Sequence, residues 1–457
     1  MKRAIVVGSG AGGATVAKEL QGTFAVTVLE EGQGFRPLPF KMSTMEALKR
    51  THLLVDEREI QFFFRSMRIR KAADKMIVVN GVGVGGTTTI SAGNAVRMDG
   101  DLRALGLDLD DEFAEIYREV PVTDGHVKRW REPTLRLFDA CDEVGLEPRP
   151  TPKMGNYERC TNCGRCVLGC PYGVKWDSRR YLDVAVANGA QLVTGCRVER
   201  VVVENGRATG VVAKRGLSRR FLAADVVVLA AGGLGTPAIL QDSGIPCEAR
   251  LFVDPVLCVG AEWREGLQCR EITMPFIVQR EHFILSPYFD YLSFFFNGDW
   301  RYPARHTVGL MVKLADCATG EVSRARIDKR LSDLDWQRLR EGVQVCTEIL
   351  RRAGVDEKAL FLGTVNAGHP GGMLPLSERE AESLHHDRLP ENLYVADASL
   401  LPRSLGNPPI LTIIALAKRV ARILAAAQHG RSAGRCEVAT GSKGVAGQAA
   451  ARLGGMG

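Results

Sequence analysis

Residues 3–8, RAIVVG, form a short apolar run closed by glycine, the pattern of a strand buried on both faces. A glycine-rich turn follows, then a helix predicted over 11–20, then a second apolar run, FAVTVLE at 24–30. The chain therefore opens as strand, helix, strand. Residues 40–75 mix apolar and basic positions and predict mainly helix, whereas 77–97 is rich in Gly and Thr and too long for a simple turn. Helical periodicity returns over 110–146, with Pro121 and Pro133 as breaks, and 148–159 has the composition of a linker. Three strand-like runs fill 191–230, with Asn205-Gly206 marking a hairpin between the first two. Alternation of apolar and polar residues, dense in aromatics (Phe283, Tyr288, Phe289, Tyr291, Phe294, Phe295, Phe296), predicts an antiparallel sheet over 270–314. Helices are expected at 331–353, stopped by Gly354, and at 409–428. The Gly-, Ala- and Ser-rich tail 431–457 is expected to be disordered, and no internal repeat is present.

Composition narrows this picture. With 45% hydrophobic and 25% charged residues in 457, the chain is globular, and its 49 glycines promise many tight turns and close backbone approaches. A formal charge of +7 over this length is too weak a bias for a nucleic-acid binder. No run of apolar residues is long enough to span a bilayer, and the basic N-terminus lacks the apolar stretch of a secretory leader. A reducing, cytoplasmic setting is the expectation, in which clustered cysteines bind metal rather than pair.

Two motifs carry chemistry. Gly8-x-Gly10-x-x-Gly13 sits between the first strand and the helix, and Glu30 ends the second strand. This is a dinucleotide fingerprint: the glycines allow a tight turn, close approach to a pyrophosphate and helix–strand packing, while the acid accepts ribose hydroxyls. The second motif is Cys160-x2-Cys163-x2-Cys166-x3-Cys170-Pro171, which has the bacterial ferredoxin spacing. A [4Fe–4S] cluster on Cys160, Cys163, Cys166 and Cys170 is the favoured reading; zinc, and oxidised or unligated cysteines, are the alternatives. In two-cluster ferredoxins the fourth cysteine serves another cluster, so the fourth ligand is either Cys170 or a remote residue such as Cys196.

Three segments carry a family resemblance: GVGVGGTTTISAGNAVR, ADVVVLAAGGLGTPAIL and NLYVADASLLPRSLGNPPILTIIALAKRVARIL. Together they resemble the glucose-methanol-choline (GMC) oxidoreductases, especially cholesterol oxidases and long-chain alcohol oxidases. The resemblance implies FAD rather than NAD. It places the pyrophosphate at Gly8, Gly10 and Gly13, the ribose at Glu30, the flavin against Gly85, Gly86 and Thr87, adenine at Val198, and Asp397 near the ribityl chain and pyrophosphate. One departure is Ser91, where the family usually has asparagine; Asn94 is the alternative.

The same resemblance implies His369, in GHPGGMLPL, as the base that takes a hydroxyl proton while flavin takes the hydride. The second catalytic residue is expected at Asn407, although an ungapped alignment puts the family's asparagine on Pro408. A cluster moves one electron at a time, so the expected activity is an FAD-dependent dehydrogenase of a CH–OH group. It would pass electrons through the cluster to an acceptor protein or quinone, with a small-molecule alcohol as substrate, apolar if the aromatic stretch 283–296 lines its pocket. The alternatives are a flavin/iron–sulfur reductase of a ketone or C=C bond, and a non-catalytic electron-transfer flavoprotein. The expected fold is α/β, with a Rossmann-type FAD-binding domain in three parts (1–147, 183–256 and 369–430). An iron–sulfur segment (148–182), an antiparallel-sheet substrate domain (257–368) and the tail (431–457) complete it.

Overall fold

The apolar run at the N-terminus becomes the strand Lys2–Val7, central in a five-stranded parallel sheet. The structure is a computed structural model that describes residues 1–51 and 55–440, with side chains as far as 428. In this sheet the strand order is Leu393–Val395, Val226–Leu229, Lys2–Val7, Phe24–Leu29, Gln191–Val193. Every neighbouring pair is parallel, so both faces must be covered, which explains the unbroken VVVL and IVV runs. The helices Ala11–Glu19 and Ile410–Thr440 pack against each other on this sheet. The glycine motif is what lets them close. A Cβ on Gly13 would lie 2.0 Å from the Gly8 carbonyl oxygen, and one on Gly12 would lie 1.6 Å from that of Ala396. Only hydrogen fits at either position.

The hairpin Cys196–Glu204 and Arg207–Arg215 turns at Asn205-Gly206, both with positive φ (50° and 74°), as a two-residue hairpin turn demands. Ser218–Ala223 completes this three-stranded antiparallel sheet.

The larger sheet has nine strands among the described residues. Its main order runs Met67–Lys71, Ile77–Gly81, Asn366–Ala367, Pro255–Glu262, Thr307–Leu314, Phe283–Pro287, Phe276–Gln279, Pro148–Pro150. Alternation on Thr307–Leu314 divides its side chains. Val308, Leu310, Val312 and Leu314 join the core under the helix Asp333–Arg352, while Met311 joins the aromatic core on the other face.

Several expectations change. The segment 40–75 holds the helix Met42–Arg50, but Met67–Lys71 is a strand, paired antiparallel to Ile77–Gly81. Its sequence, MRIRK, alternates buried and partly exposed positions, so sheet pairing wins over helix formation. The aromatic run is not wholly sheet, because Asp290 accepts N–H bonds from Leu292 and Ser293 and caps a short helix, Tyr291–Phe296. Pro148–Pro150, expected in the linker, pairs with Phe276–Gln279. Residues 431–440 continue the last helix instead of breaking from it, and 441–457 lie outside the described residues.

Candidate active site

One cavity of about 650 Å³ runs from the parallel sheet to the larger sheet. Gly8 and Gly10 line it, as do Glu30, Gly86, Thr87, Val198 and Asp397; Gly13 and Gly85 stand behind the wall. Gly8 ends the first strand, and its N–H donates to the Leu29 carbonyl (2.8 Å), which holds the turn at the mouth of the sheet. The Glu30 carboxylate is buried and accepts four bonds: from Ser9 N–H (3.1 Å), Ser9 Oγ (2.7 Å), Gly32 N–H (2.9 Å) and Gly83 N–H (3.1 Å). Burial nevertheless pushes its carboxyl above the ordinary range. Ser9, absent from the fingerprint, also accepts from Gly85 N–H (3.2 Å), so it ties the glycine turn to the Gly85–Thr87 loop. Asp397 is buried, accepting from Gly232 N–H (2.9 Å), Thr236 Oγ1 (2.5 Å) and Ser399 N–H (2.9 Å). Thr236 was not foreseen; only its place in GGLGTPA hinted at it.

The lining also includes the side chains of Val256, Met274, Tyr288, Tyr291, Leu292 and Met311, alongside Arg68, Arg70 and Asn80. Two aromatics of the 283–296 stretch, Tyr288 and Tyr291, thus face the cavity, while Phe289, Phe294 and Phe295 lie in the core.

His369 is on the cavity wall. Its buried Nδ1 faces Asp254 Oδ2 at 3.6 Å and has no hydrogen-bond partner, which leaves Nε2 as the nitrogen toward the cavity. Burial, and then the charge of Lys313, hold the imidazole below its ordinary value, against the pull of Asp254. Neutral imidazole is the form that accepts a proton. Asp254 is 1% exposed, adopts a left-handed φ of +52°, and pairs with Lys313 Nζ at 2.5 Å. Sequence reasoning missed both residues, which lie outside any motif.

Asn407 does not reach this cavity. It is fully buried, its amide donates to Gln279 Oε1 (3.0 Å), and Pro408 and Pro409 take the cavity wall. Ser91 and Asn94 both line the cavity; Asn94 accepts from Lys153 Nζ (2.5 Å).

Cys160, Cys163, Cys166 and Cys170 line a second, small pocket with Tyr157, Val174 and Ile272. Cys196 belongs instead to the wall of the larger cavity. Among the described residues, no set of His, Cys, Asp or Glu side chains closes tightly enough to hold a single metal ion. Several features nonetheless suit a larger anionic group held by thiolates. The Asn162 N–H donates to Cys160 Sγ (3.4 Å), against burial, which raises the thiols of Cys160 (to about 11) and Cys163 and favours their neutral form. Two buried lysines flank the pocket, and among the described residues neither has a carboxylate at ion-pair distance. Lys153 donates to Ala92 O (3.2 Å), Asn94 Oδ1 (2.5 Å) and Thr273 O (2.7 Å). Lys175 donates to Thr88 O (3.1 Å), Thr89 O (2.8 Å), Ser91 O (2.8 Å) and Cys166 O (3.2 Å). Lys175 therefore stitches the cysteine loop to the loop carrying Gly86 and Thr87. The turn Cys166–Leu168 is the shared wall, since Val167 and Leu168 line the large cavity.

Residues 3–262 match the GMC oxidoreductase family. The chain belongs to the GMC oxidoreductases. Over 91% of its length it is 28% identical to an uncharacterised protein of Methanocaldococcus jannaschii, 98% of which is covered. A long-chain-alcohol oxidase of Arabidopsis thaliana is 24% identical over 90% of this chain and 65% of its own length. An uncharacterised GMC-type oxidoreductase of Mycobacterium tuberculosis is 32% identical over 54% of this chain, which spans 40% of that relative. The GMC fold is also seen in a solved structure, pyridoxine 4-oxidase from Mesorbium loti (TM-score 0.68, 16% identity, 92% of this chain and 99% of that one). The α/β architecture expected of a GMC protein is thus present. Among the described residues, no helix is long and apolar enough to cross a membrane.

Proposed function

We propose that this GMC oxidoreductase is an FAD-dependent dehydrogenase of a CH–OH group, with His369 as its base. The observation that carries the reading is the single cavity in which the glycine fingerprint, the Gly86–Thr87 loop and the His369 imidazole meet. Gly8, Gly10 and Glu30 would hold the nucleotide at one end, with Val198 and Asp397 along its length. Bound FAD supplies the hydride acceptor; that chemistry belongs to the cofactor. The chain's own part is on the proton side. Val256, Met274 and Leu292 exclude water, and the neutral His369 Nε2 takes the hydroxyl proton. No covalent tether is expected, because 81–97 contains neither His nor Cys.

The cysteine pocket extends the reading. We assign it to a [4Fe–4S] cluster that accepts electrons singly and passes them to an acceptor protein or quinone. Its support is the four-cysteine lining, the flanking lysines and the wall shared with the cavity. The long-chain-alcohol oxidases and the apolar side chains of the cavity lining, Val256, Met274, Leu292 and Met311 among them, favour an apolar alcohol as substrate.

The test is an anaerobic spectrum of the purified protein titrated with a panel of alcohols. Bleaching of flavin absorbance is expected with at least one. No bleaching by any of them, together with oxidation of the reduced protein by a ketone or alkene, would make it a reductase. In the same preparation about four iron and four sulfide per chain are expected; zinc without iron would overturn the cluster.

A further inference from the structure

Removing a hydroxyl proton requires a base, and it also requires something to hold the oxygen as negative charge develops on it. The expected second residue, Asn407, is turned toward Gln279, and Pro408, which takes its place on the wall, has no side-chain donor. Lys313 stands on the same wall as His369. On the strand Thr307–Leu314 it shares a face with Met311, opposite the residues that pack under the helix Asp333–Arg352.

The groups around it form a built site. Asp254 Oδ2 accepts from Lys313 Nζ and lies beside His369 Nδ1. Ser404 Oγ donates to the other oxygen, Oδ1. Asp316 accepts the Asp254 N–H (2.8 Å) and pairs with Lys329 at 2.7 Å. Two carboxylates and two ammonium groups thus cancel. An ammonium has three donors; Asp254 uses one, and no other partner for Lys313 Nζ exists among the described residues. A buried donor without an acceptor is costly unless a ligand oxygen completes it.

We propose that Lys313 is a catalytic residue that donates to the substrate oxygen, and that Asp254 is a positioning residue for both Lys313 and His369. This rests on the CH–OH reading above. As the reaction proceeds, the O–H bond breaks and its proton goes to His369. The C–H bond breaks with its electron pair, leaving as hydride for the flavin, and the C=O bond forms. Lys313 stabilises the oxygen before that double bond is complete and is not consumed.

The test uses flavin- and cluster-loaded protein with the alcohol that bleaches it most, and octanoate as a fixed anionic stand-in for the deprotonated alcohol. Lys313→Met is expected to slow bleaching by about 10²-fold or more, the usual cost of one oxyanion donor, with FAD content unchanged. It should also move the acid limb of the pH profile upward, because the lysine charge that lowers the imidazole is gone. Bleaching within threefold of wild type would overturn the proposal. Since Lys313→Met leaves Asp254 unpaired, Lys313→Met/Asp254→Asn is compared with Asp254→Asn. The double variant should bind octanoate at least tenfold more weakly, read from the flavin spectrum; equal binding would overturn the proposal. If no alcohol bleaches the wild type, the dehydrogenase reading has failed, and the octanoate arm still decides Lys313.

Discussion

At the scale of single residues, His369 has two consequences that can be measured. A general base contributes about 10²–10⁴-fold to rate, so His369→Ala should slow flavin bleaching by that factor with FAD and iron content intact. The acid limb of the wild-type profile should lie below about 6.5, the ordinary imidazole value. A base held low stays neutral to lower pH, and activity falls only as pH drops through that lowered value. The glycines and His369 could be recognised in the sequence because each lies in a contiguous motif, and Glu30 because it ends the strand that follows the glycine turn and helix. Asp254 and Lys313 could not, since 59 positions separate them and only sheet pairing brings them together. Asn407 shows the opposite case: its motif is recognisable, but a shift of one position in a turn turns the side chain to the other side of the wall.

At the scale of elements, close approach governs the nucleotide end. Gly12 lies outside the three fingerprint positions, yet a Cβ there would overlap the Ala396 carbonyl. Gly12→Ala should therefore separate the helix Ala11–Glu19 from the segment after Leu393–Val395. The expected cost is roughly 1–3 kcal/mol, seen as a lower Tm and weaker FAD retention; an unchanged Tm would contradict this packing. Lys175→Met should disengage the cysteine loop from Thr88, Thr89 and Ser91, and lower iron and FAD content together. Loss of iron alone would mean that the two loops are independent. The opening strand–helix–strand, the Asn205-Gly206 hairpin and the helix before Gly354 followed from local periodicity and turn chemistry. Met67–Lys71 did not, because its partner strand rather than its composition decides its conformation.

At the scale of the whole molecule, ion pairs fasten the last helix to the helices Ala11–Glu19 and Asp110–Glu119. Lys418, 1% exposed, contacts Glu19, Glu115 and Glu119, while Arg419 and Arg422 hold the buried Glu112. Burial raises the carboxyls of Glu19, Glu112 and Glu119, but the bonds from lysine and arginine outweigh it and leave all three lowered. Groups lowered on folding stabilise the protein above their unfolded values, and that stability is lost as pH falls through the folded ones. Tm should therefore hold near neutrality and decline below about pH 4.5. Lys418→Met should cost roughly 3 kcal/mol and flatten that decline; an unchanged acid profile would show that the network contributes nothing. The parallel sheet has one more consequence, in the timing of synthesis. Its first strand is complete at Val7, but its outer strand, Leu393–Val395, and the adjoining Asp397 are made last. At about 5–20 residues per second a ribosome needs roughly 20–80 s to cover that interval. Until Asp397 has been made the glycine turn lacks its far wall, so this cavity is completed long after its first residues.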